Sequence, residues 1–331
     1  MIAALQRAWL RRGPLAWLLF PLSLLYRALA AVHRGLYAAG LRKRERLSVP
    51  VVVVGNVVAG GGGKTPVVLA IVEHLRRRGI SAGIVSRGYG RDSDQCIEVQ
   101  PGDDPARVGD EPLLLRRRAG VPVFVARQRA QAGRALLAAH PRTQVIVSDD
   151  GLQHHALARD VEVCVFDARG VGNGWLLPAG PLREAWPRST DLVLTHGAAP
   201  GIHGHAMHRT LALSAVRADG TQVLLSQLRG LQLHAMAGIA NPELFFSMLR
   251  ETGLTLAATH PLPDHHDFAD AGSLPAAATV VCTEKDAVKL WRLRPDAWAV
   301  PLQVIIPATF WGAFDPLLNA RLSSAHGSSP S

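Results

Sequence analysis

The sequence has little cysteine and few aromatic residues. Cys96, Cys164 and Cys282 lie far apart in a chain of 331 residues, without a CxxC or Cys/His zinc spacing. This pattern excludes a disulfide framework and a structural zinc site, and it is typical of a reduced, cytosolic protein. Aromatic residues make up 5% of the chain and do not alternate with basic residues. That composition argues against a nucleic-acid-binding ATPase, so no nucleic-acid partner is expected.

Acidic residues are also scarce relative to basic ones. The chain has 36 Lys+Arg against 26 Asp+Glu, which gives a formal net charge of +10. A basic surface indicates an anionic partner such as a phosphorylated substrate or an anionic membrane. Only four of the basic residues are lysines, namely Lys43, Lys64, Lys285 and Lys289. In an arginine-rich chain, such lysines are candidates for positions that need a compact ammonium group.

No uncharged run near the N-terminus is long enough to span a membrane. Fourteen uncharged residues separate Arg12 from Arg27, whereas a spanning helix needs about 20, and Pro14 and Pro21 interrupt the run. Apolar residues nevertheless recur at helical spacing, and basic residues follow them. This pattern predicts a helix lying in the membrane surface beside anionic headgroups. The alternative is a helix that packs against the protein's own core.

From residue 51 onwards, short β-branched runs alternate with helical stretches. Uninterrupted apolar strands of this kind predict a parallel sheet covered by helices on both faces. The fold class is therefore α/β, a P-loop NTPase-like sheet, with a smaller C-terminal α/β subdomain joined by a β-ribbon. The expected organisation is an N-terminal membrane-surface segment (1–46), a P-loop core (47–208), the ribbon (209–228), the subdomain (229–322) and a disordered tail (323–331).

A glycine-rich loop follows the first apolar strand and leads into a helix. Strand, glycines, Lys-Thr and helix form the context of a phosphate-binding P-loop, in which backbone N–H groups surround phosphate oxygens. Lys64 is expected to reach the β- and γ-phosphates of ATP, and Thr65 to ligate Mg²⁺. Val58 stands where the pattern has its first glycine. The expected nucleotide-binding residues are Val58, Ala59, Gly60, Gly61, Gly62, Gly63, Lys64, Thr65 and Pro66.

Two aspartates end another apolar strand, Val145 to Asp149. Ligands of open α/β sheets bind at the carboxyl ends of the strands, where such carboxylates meet the phosphate loop. We assign Asp149 mainly to Mg²⁺ and Asp150 to support or a second contact.

Eight short motifs occur in order between residues 55 and 289. They are Gly55-Asn56 with the Gly60–Pro66 run, Ser86–Arg91, Gly109–Pro112, Ser148–His154, Pro178–Glu184, Ala237–Pro242, Pro263–His266 and Thr283–Lys289. These motifs are jointly specific, and together they resemble the tetraacyldisaccharide 4'-kinase (lipid A 4'-kinase) family.

The resemblance implies a kinase that transfers the γ-phosphate of ATP to the 4'-hydroxyl of a tetraacylated glucosamine disaccharide 1-phosphate. It implies ATP and Mg²⁺, an acylated disaccharide phosphate lipid as partner, and no obligate protein partner. It also implies a peripheral or monotopic location at the cytoplasmic face of the inner membrane of a Gram-negative bacterium. A lipid acceptor agrees with the apolar N-terminal segment, and an anionic bilayer agrees with the basic excess.

The family pattern carries the catalytic base onto Asp110, in the Gly109–Pro112 turn. His265 is expected to pair with Asp110 and tune its pKa, and Lys64 completes the catalytic set. Because His266 is adjacent, the sequence leaves open which histidine assists. A further group is a candidate for contact with the substrate or phosphates, namely Tyr89, Arg127, Arg129, Gln153, His154, Arg183 and Glu184.

A second function class is a P-loop metallochaperone-type NTPase. Four histidines in the loop after the core, His196, His203, His205 and His208, prompt it. No cysteine accompanies them and the loop lies between the subdomains, so a solvated loop explains the histidines better than a metal site does.

Overall fold

A computed structural model describes residues 8–60, 63–197, 199, 201–268 and 279–326 of the chain. Two sheets organise these residues, one of nine strands and one of six. The N-terminal helix α1 spans Pro14–Ala38 and precedes the first strand.

The nine-stranded sheet has the order β15-β8-β7-β6-β1-β5-β2-β4-β3. All neighbours pair in parallel except the two edge pairs, β3 with β4 and β15 with β8. Strands β1, β2, β4, β5 and β6 are buried along their whole length. The strands are β1 Val51–Gly55, β2 Ala82–Ser86, β3 Ile97–Glu98, β4 Val123–Val125, β5 Val145–Asp149, β6 Val161–Phe166, β7 Leu192–His196, β8 His205–Leu211 and β15 Leu302–Ile305.

Hydrophobic cores cover both faces of this sheet, as the continuous apolar strands predict. One core includes Ile71, Leu113 and Phe314, and the other includes Leu136 and Leu152. The helices that pack around the sheet are α2 Lys64–Arg77, α3 Pro105–Val108, α4 Asp110–Ala119, α5 Arg129–Ala139 and, at the C-terminus, α8 Ala308–His326.

The six-stranded sheet forms the second unit, in the order β10-β9-β14-β13-β11-β12. Its four later strands are mutually parallel, and the β9–β10 hairpin pairs antiparallel at one edge. Its strands are β9 Ser214–Val216, β10 Gln222–Leu224, β11 Leu233–Ala237, β12 Leu256–Pro261, β13 Thr279–Thr283 and β14 Trp298–Val300, and its helices are a 3₁₀ turn Leu225–Leu228, α6 Pro242–Glu251 and α7 Glu284–Leu290.

The chain crosses between the two units more often than the sequence predicts. The expected ribbon divides, because β8 joins the nine-stranded sheet whereas the β9–β10 hairpin joins the six-stranded one. The largely apolar segment from Ala299 to Ile305 has the pattern of one strand, but it contributes to two strands on either side of Pro301, one in each sheet. The last helix then packs against β7 of the first sheet. It also extends through residues 323–326 of the expected disordered tail, and residues 327–331 lie outside the described part.

Helix α1 corrects the expectation that prolines interrupt the N-terminal segment. Pro14 occupies the first turn, where a missing N–H is tolerated, and Pro21 lies within a continuous helix of 25 residues. By length and composition this helix is sufficient to cross a membrane. One face instead contacts the protein, since Ser23 Oγ donates to the carbonyl of Leu176 (2.8 Å) and accepts from the N–H of Ala179 (2.9 Å).

Candidate active site

The phosphate loop connects the end of β1 to the first residue of α2. Gly63 caps α2 with a φ of 72°, and Gly60 has a φ of 92°, conformations that favour glycine. Side chains of Arg209 and His196 lie where a Cβ on Gly63 would be. Gly61 and Gly62 fall outside the described residues. The strand, loop and helix arrangement is therefore the one that the sequence predicts.

Val58, which departs from the glycine pattern, attaches the loop to the segment before Arg183. Its side chain is buried, and its backbone forms an isolated bridge with Leu182. The N–H of Ala59 next to it donates to the carbonyl of Pro181 at 2.7 Å. Valine suits this position of the loop because its side chain is buried within the protein.

Lys64 and the two aspartates meet at the carboxyl edge of the sheet. Register pairs Val54 of β1 with Asp149 of β5, so the strand that leads into the loop and the strand that ends at the aspartates are neighbours. Lys64 Nζ lies 3.6 Å from Asp150 Oδ1 and 3.5 Å from the side-chain oxygen of Asn56.

The two carboxylates differ in their surroundings. Asp149 is buried, and its Oδ1 has no hydrogen-bond partner within the described residues. Burial, together with the charges of Glu111 and Asp150, raises the pKa of Asp149 to about 7. Asp150 instead accepts hydrogen bonds from Arg183 Nη1 at both carboxylate oxygens, at 3.1 and 3.0 Å. Although burial opposes it, Lys64 and Arg183 keep the pKa of Asp150 below its ordinary value.

Asp110 and His265 come together across the two units. Asp110 is the first residue of α4 rather than part of a simple turn, and Gly109 precedes it with a φ of 94°. Asp110 Oδ2 lies 2.9 Å from His265 Nδ1 and 3.2 Å from Lys289 Nζ. Burial would raise the pKa of Asp110, but His265, Lys285 and Lys289 outweigh it and hold that pKa well below its ordinary value.

The neighbouring histidine has a different environment. His266 packs its ring against Phe268, with centroids 4.8 Å apart, and its Nε2 is buried. The structure therefore pairs His265, and not His266, with Asp110. His265 has a φ of 61°, an uncommon left-handed conformation that directs it towards α4.

A cavity of about 400 Å³ joins most of these groups with the further candidates. Tyr89, Arg129, Gln153, His154 and Arg183 line it together with Lys64, Asp149, Asp150 and His265. Two predicted candidates lie elsewhere. Arg127 is exposed and pairs with Asp94 at 3.4 Å, and Glu184 is buried behind the cavity, where it accepts from Gln153 Nε2 at 2.9 Å.

Two of the cavity residues have structural partners of their own. Buried Arg129 donates to the backbone carbonyls of Asp149 (3.1 Å) and Asp150 (2.6 Å), so it holds the aspartate turn in place. Burial and the nearby charges of Arg129 and Arg159 lower the pKa of His154 to about 4, which leaves that imidazole neutral at pH 7.

A second, mainly apolar cavity of about 190 Å³ opens on the other side of the phosphate loop, between the two units. Its walls include Lys64, Thr65, Arg209, Ile239, Asn241 and Phe245. Both cavities share four charged residues in their walls, and these residues therefore lie between the two cavities. They are Lys64, Glu111, Asp264 and Lys285.

Sequence reasoning missed four residues of the site, because Arg87, Glu111, Asp264 and Arg209 line one or both cavities. The scarcity of lysine had singled out Lys285 and Lys289. Lys285 lines both cavities, and Lys289 contacts Asp110. Arg209 had no comparable signal, because it is one arginine among many.

The histidine-rich loop does not assemble a metal site in the described part of the chain, where no group of three or more potential ligands occurs. His196 ends β7 and accepts from Arg209 Nε at 3.1 Å. Burial and that arginine lower the pKa of His196 to about 3. His205 contacts the hydroxyl of Thr309 instead. His196 and His205 thus have separate partners.

Comparison with known proteins gives a consistent result. The chain is 57% identical over 325 residues to a tetraacyldisaccharide 4'-kinase of Acidovorax sp. (strain JS42), which covers 97% of this chain and 96% of that protein. It is 55% identical to the protein of the same name from Delftia acidovorans, covering 96% and 95%.

A solved structure is also similar. LpxK from Aquifex aeolicus, crystallised in complex with ATP, aligns with a TM-score of 0.80 and 26% identity, covering 92% of this chain and 99% of that one. The family model described as tetraacyldisaccharide-1-P 4'-kinase matches residues 15–319. Given these matches and the P-loop site they coincide with, the chain belongs to the tetraacyldisaccharide-1-P 4'-kinase family.

Proposed function

We propose that this chain transfers the γ-phosphate of ATP to the 4'-hydroxyl of a tetraacylated glucosamine disaccharide 1-phosphate, with Asp110 as the base. The observation that carries the proposal is the Asp110–His265 pair, which borders the same cavity as the phosphate loop and the two aspartates. Phosphoryl transfer depends mainly on positioning and on neutralising charge, and this cavity brings together the groups for both tasks.

ATP binding is assigned to the phosphate loop and the apolar cavity beside it. The loop N–H groups and Lys64 would surround the β- and γ-phosphates, at the N-terminus of α2. The apolar walls of the smaller cavity suit the adenosine part, and Arg209 adds a positive charge beside Gly63. The related LpxK of Aquifex aeolicus was crystallised with ATP, which supports this assignment.

The residues present also fit a magnesium ion. Asp149 Oδ1 is a buried carboxylate oxygen without a hydrogen-bond partner in the described structure, and a hard cation prefers such a ligand. Thr65 and Asp149 would hold the ion. Asp150 would support them, and its carboxylate is oriented by the hydrogen bond from Arg183. When bound, Mg²⁺ would neutralise charge on the phosphates.

Asp110 would accept the proton of the attacking hydroxyl. Its pKa lies well below the ordinary value, so the carboxylate is ionised at neutral pH and ready to accept a hydrogen bond. Its contacts with His265 and Lys289 both use Oδ2, and we assign Oδ1 to the acceptor hydroxyl. A weak base suits a loose transition state, in which the hydroxyl proton need not leave before the phosphoryl group moves.

The acceptor lipid and the membrane would meet the protein at α1. Leu18, Leu25 and Leu29 are 58–75% exposed on this helix, on the side away from Ser23. Exposed basic residues lie among these leucines or after them in the chain, where they suit anionic headgroups. They are Arg27, Arg42, Lys43 and Arg44. We infer a peripheral or monotopic protein at the cytoplasmic face of the inner membrane.

A transfer assay tests the function directly. Purified protein is incubated with γ-³²P-ATP, Mg²⁺ and tetraacyldisaccharide 1-phosphate, and the labelled product is mapped to the 4' position by NMR. Lys64→Ala should abolish transfer because the loop ammonium would contact phosphates, while Arg142→Ala, at an exposed position outside α1 and both cavities, should retain it. Label on another position, or equal activity of Lys64→Ala and wild type, would refute the proposal.

A further inference from the structure

We propose that Lys285 is a positioning residue that fixes the tautomer and charge state of His265, and thereby the carboxylate of Asp110. The inference rests on the proposed function of the Asp110–His265 pair and extends it to a residue that does not contact Asp110 through a hydrogen bond of its own.

The hydrogen-bond directions follow from the chemistry of the ammonium group. Lys285 Nζ lies 3.1 Å from His265 Nε2 and 3.0 Å from Asp264 Oδ1. An ammonium group has three donors and no acceptor, so Nε2 must present its lone pair. The imidazole proton then resides on Nδ1, which donates to Asp110 Oδ2 at 2.9 Å. His265 is therefore a neutral imidazole between an ammonium group and a carboxylate.

Lys285 keeps its charge in this position. Burial lowers the pKa of Lys285, but the carboxylates of Glu111, Asp264 and Asp110 outweigh burial and raise that pKa above its ordinary value. Glu111 Oε1 lies 3.7 Å from the ammonium nitrogen. The group facing His265 Nε2 is thus a cation throughout the neutral pH range.

Opposing effects act on His265, and their net result is a pKa above the ordinary value of histidine. The hydrogen bond to Asp110 raises the pKa of His265, while burial and the charge of Lys285 lower it. The other facing groups are Asp264, 3.9 Å from Nε2, the Tyr89 ring at a centroid distance of 5.7 Å, and Lys289, which binds the carbonyl of His265 at 3.2 Å. Lys285, in contrast to these groups, donates a hydrogen bond to Nε2 and so competes with a proton for the lone pair of that nitrogen.

The backbone holds Lys285 and His265 in a fixed relation. Thr283 caps α7, so Lys285 lies in its first turn, and buried Asp286 accepts from the N–H of Gly238 at 3.0 Å. The carbonyl of Gly238 accepts from the N–H of His265 at 3.2 Å. Both residues are therefore anchored on Gly238, where a side chain would collide with Asp286.

The consequence concerns the base. Without the ammonium group, His265 would take up a second proton at higher pH, and the resulting imidazolium would stabilise the carboxylate of Asp110. That full positive charge would lower further the proton affinity of a carboxylate that is already a weak base, and Asp110 would then assist the acceptor hydroxyl less. Lys285 therefore keeps the pair active on the acidic side of neutrality.

The test compares Lys285→Met and Lys285→Arg with Arg142→Met as the control, which removes an exposed cation outside α1 and both cavities. ¹⁵N NMR of histidine-labelled protein, with His265 assigned by the signals lost in His265→Gln, should show Nδ1 protonated and Nε2 unprotonated in wild type at pH 7.5. In Lys285→Met the pKa of His265 and the acidic limb of kcat should both move up by about one unit. Lys285→Arg keeps a donor-only cation and should keep the wild-type tautomer.

Two results would overturn the proposal. If Nε2 of wild-type His265 is protonated, the assigned hydrogen bonds are excluded. This result needs no Lys285 variant, so poor folding of Lys285→Met leaves the test intact. A raised KM for ATP in Lys285→Met, with an unchanged pH profile, would place Lys285 on the nucleotide instead. Because NMR needs no turnover, a wild-type protein lacking 4'-kinase activity would refute the proposed function separately.

Discussion

Asp110 Oδ2 and His265 Nδ1 lie 2.9 Å apart, although 155 positions separate the two residues in the chain. Asp110 begins a helix of the nine-stranded unit, and His265 follows a strand of the six-stranded unit. The pair therefore connects the two units at the cavity that we assign to phosphoryl transfer.

Substitution of this pair should lower kcat without weakening ATP binding. Asp110→Asn should reduce kcat by roughly 10²–10⁴, the usual contribution of a positioned base. His265→Ala should give a smaller loss, and the double variant should resemble Asp110→Asn, since residues that act as a unit are not additive. Steady-state kinetics and nucleotide binding measure these effects. Fully multiplicative losses would show that His265 works independently of Asp110.

Asp110 should also make the stability of the fold depend on pH. Its folded-state pKa is depressed below 3.8 by His265, Lys285 and Lys289, against burial. The stabilisation is therefore complete above the unfolded-state pKa and is lost as the pH falls through the folded-state pKa. In urea titrations, wild type should exceed Asp110→Asn in free energy of unfolding at pH 5, and the difference should shrink towards pH 2.5. A difference that grows on acidification would contradict the pairing.

Membrane attachment should depend on the exposed side of α1. Leu18 and Leu25 are 75% and 58% exposed, and each buried leucine contributes about 1.5–3 kcal/mol. Leu18→Asn with Leu25→Asn should lower partitioning onto anionic vesicles about tenfold or more. Activity on detergent-dispersed substrate should fall less. Leu213→Asn, at an exposed position outside this helix, is the control. Unchanged vesicle binding of the double variant would argue against a membrane role for this surface.

The protein-facing side of α1 should behave differently. Ser23 satisfies both the carbonyl of Leu176 and the N–H of Ala179 in a buried site. Ser23→Ala should therefore lower the free energy of unfolding by about 1–3 kcal/mol, the cost of leaving buried polar groups unpaired. Chemical denaturation measures it, with exposed Ser48→Ala as the neutral control. Equal stability of the two variants would mean that α1 does not fold with the core.

Local features of the sequence predicted much of the parallel core. The apolar runs Val51–Gly55 and Val145–Asp149 became strands with those bounds, because continuous burial on both faces requires continuous apolar residues. The glycine-rich loop could likewise be placed between β1 and α2, since its composition permits the positive φ values of Gly60 and Gly63.

Other elements were hidden by ambiguous local signals. The Gly-Asp-Glu-Pro phrase resembles a turn, yet it begins the helix Asp110–Ala119, whose first turn tolerates proline and favours acidic residues. Pro21 was predicted to interrupt helix α1, but the helix continues through it. Ser23, two residues further on, holds this part of the helix against the rest of the protein through its hydrogen bond to Leu176.

By itself the sequence determined which segments form buried strands, where the phosphate loop lies and which family the motifs resemble. The tertiary structure decided that His265 rather than His266 reaches Asp110, and that Lys285 faces the imidazole. It also decided that β15 leaves the second unit to pair with β8. The physical reason is that hydrophobic pattern and turn chemistry act over a few residues, whereas these contacts join residues brought together only when the two sheets pack.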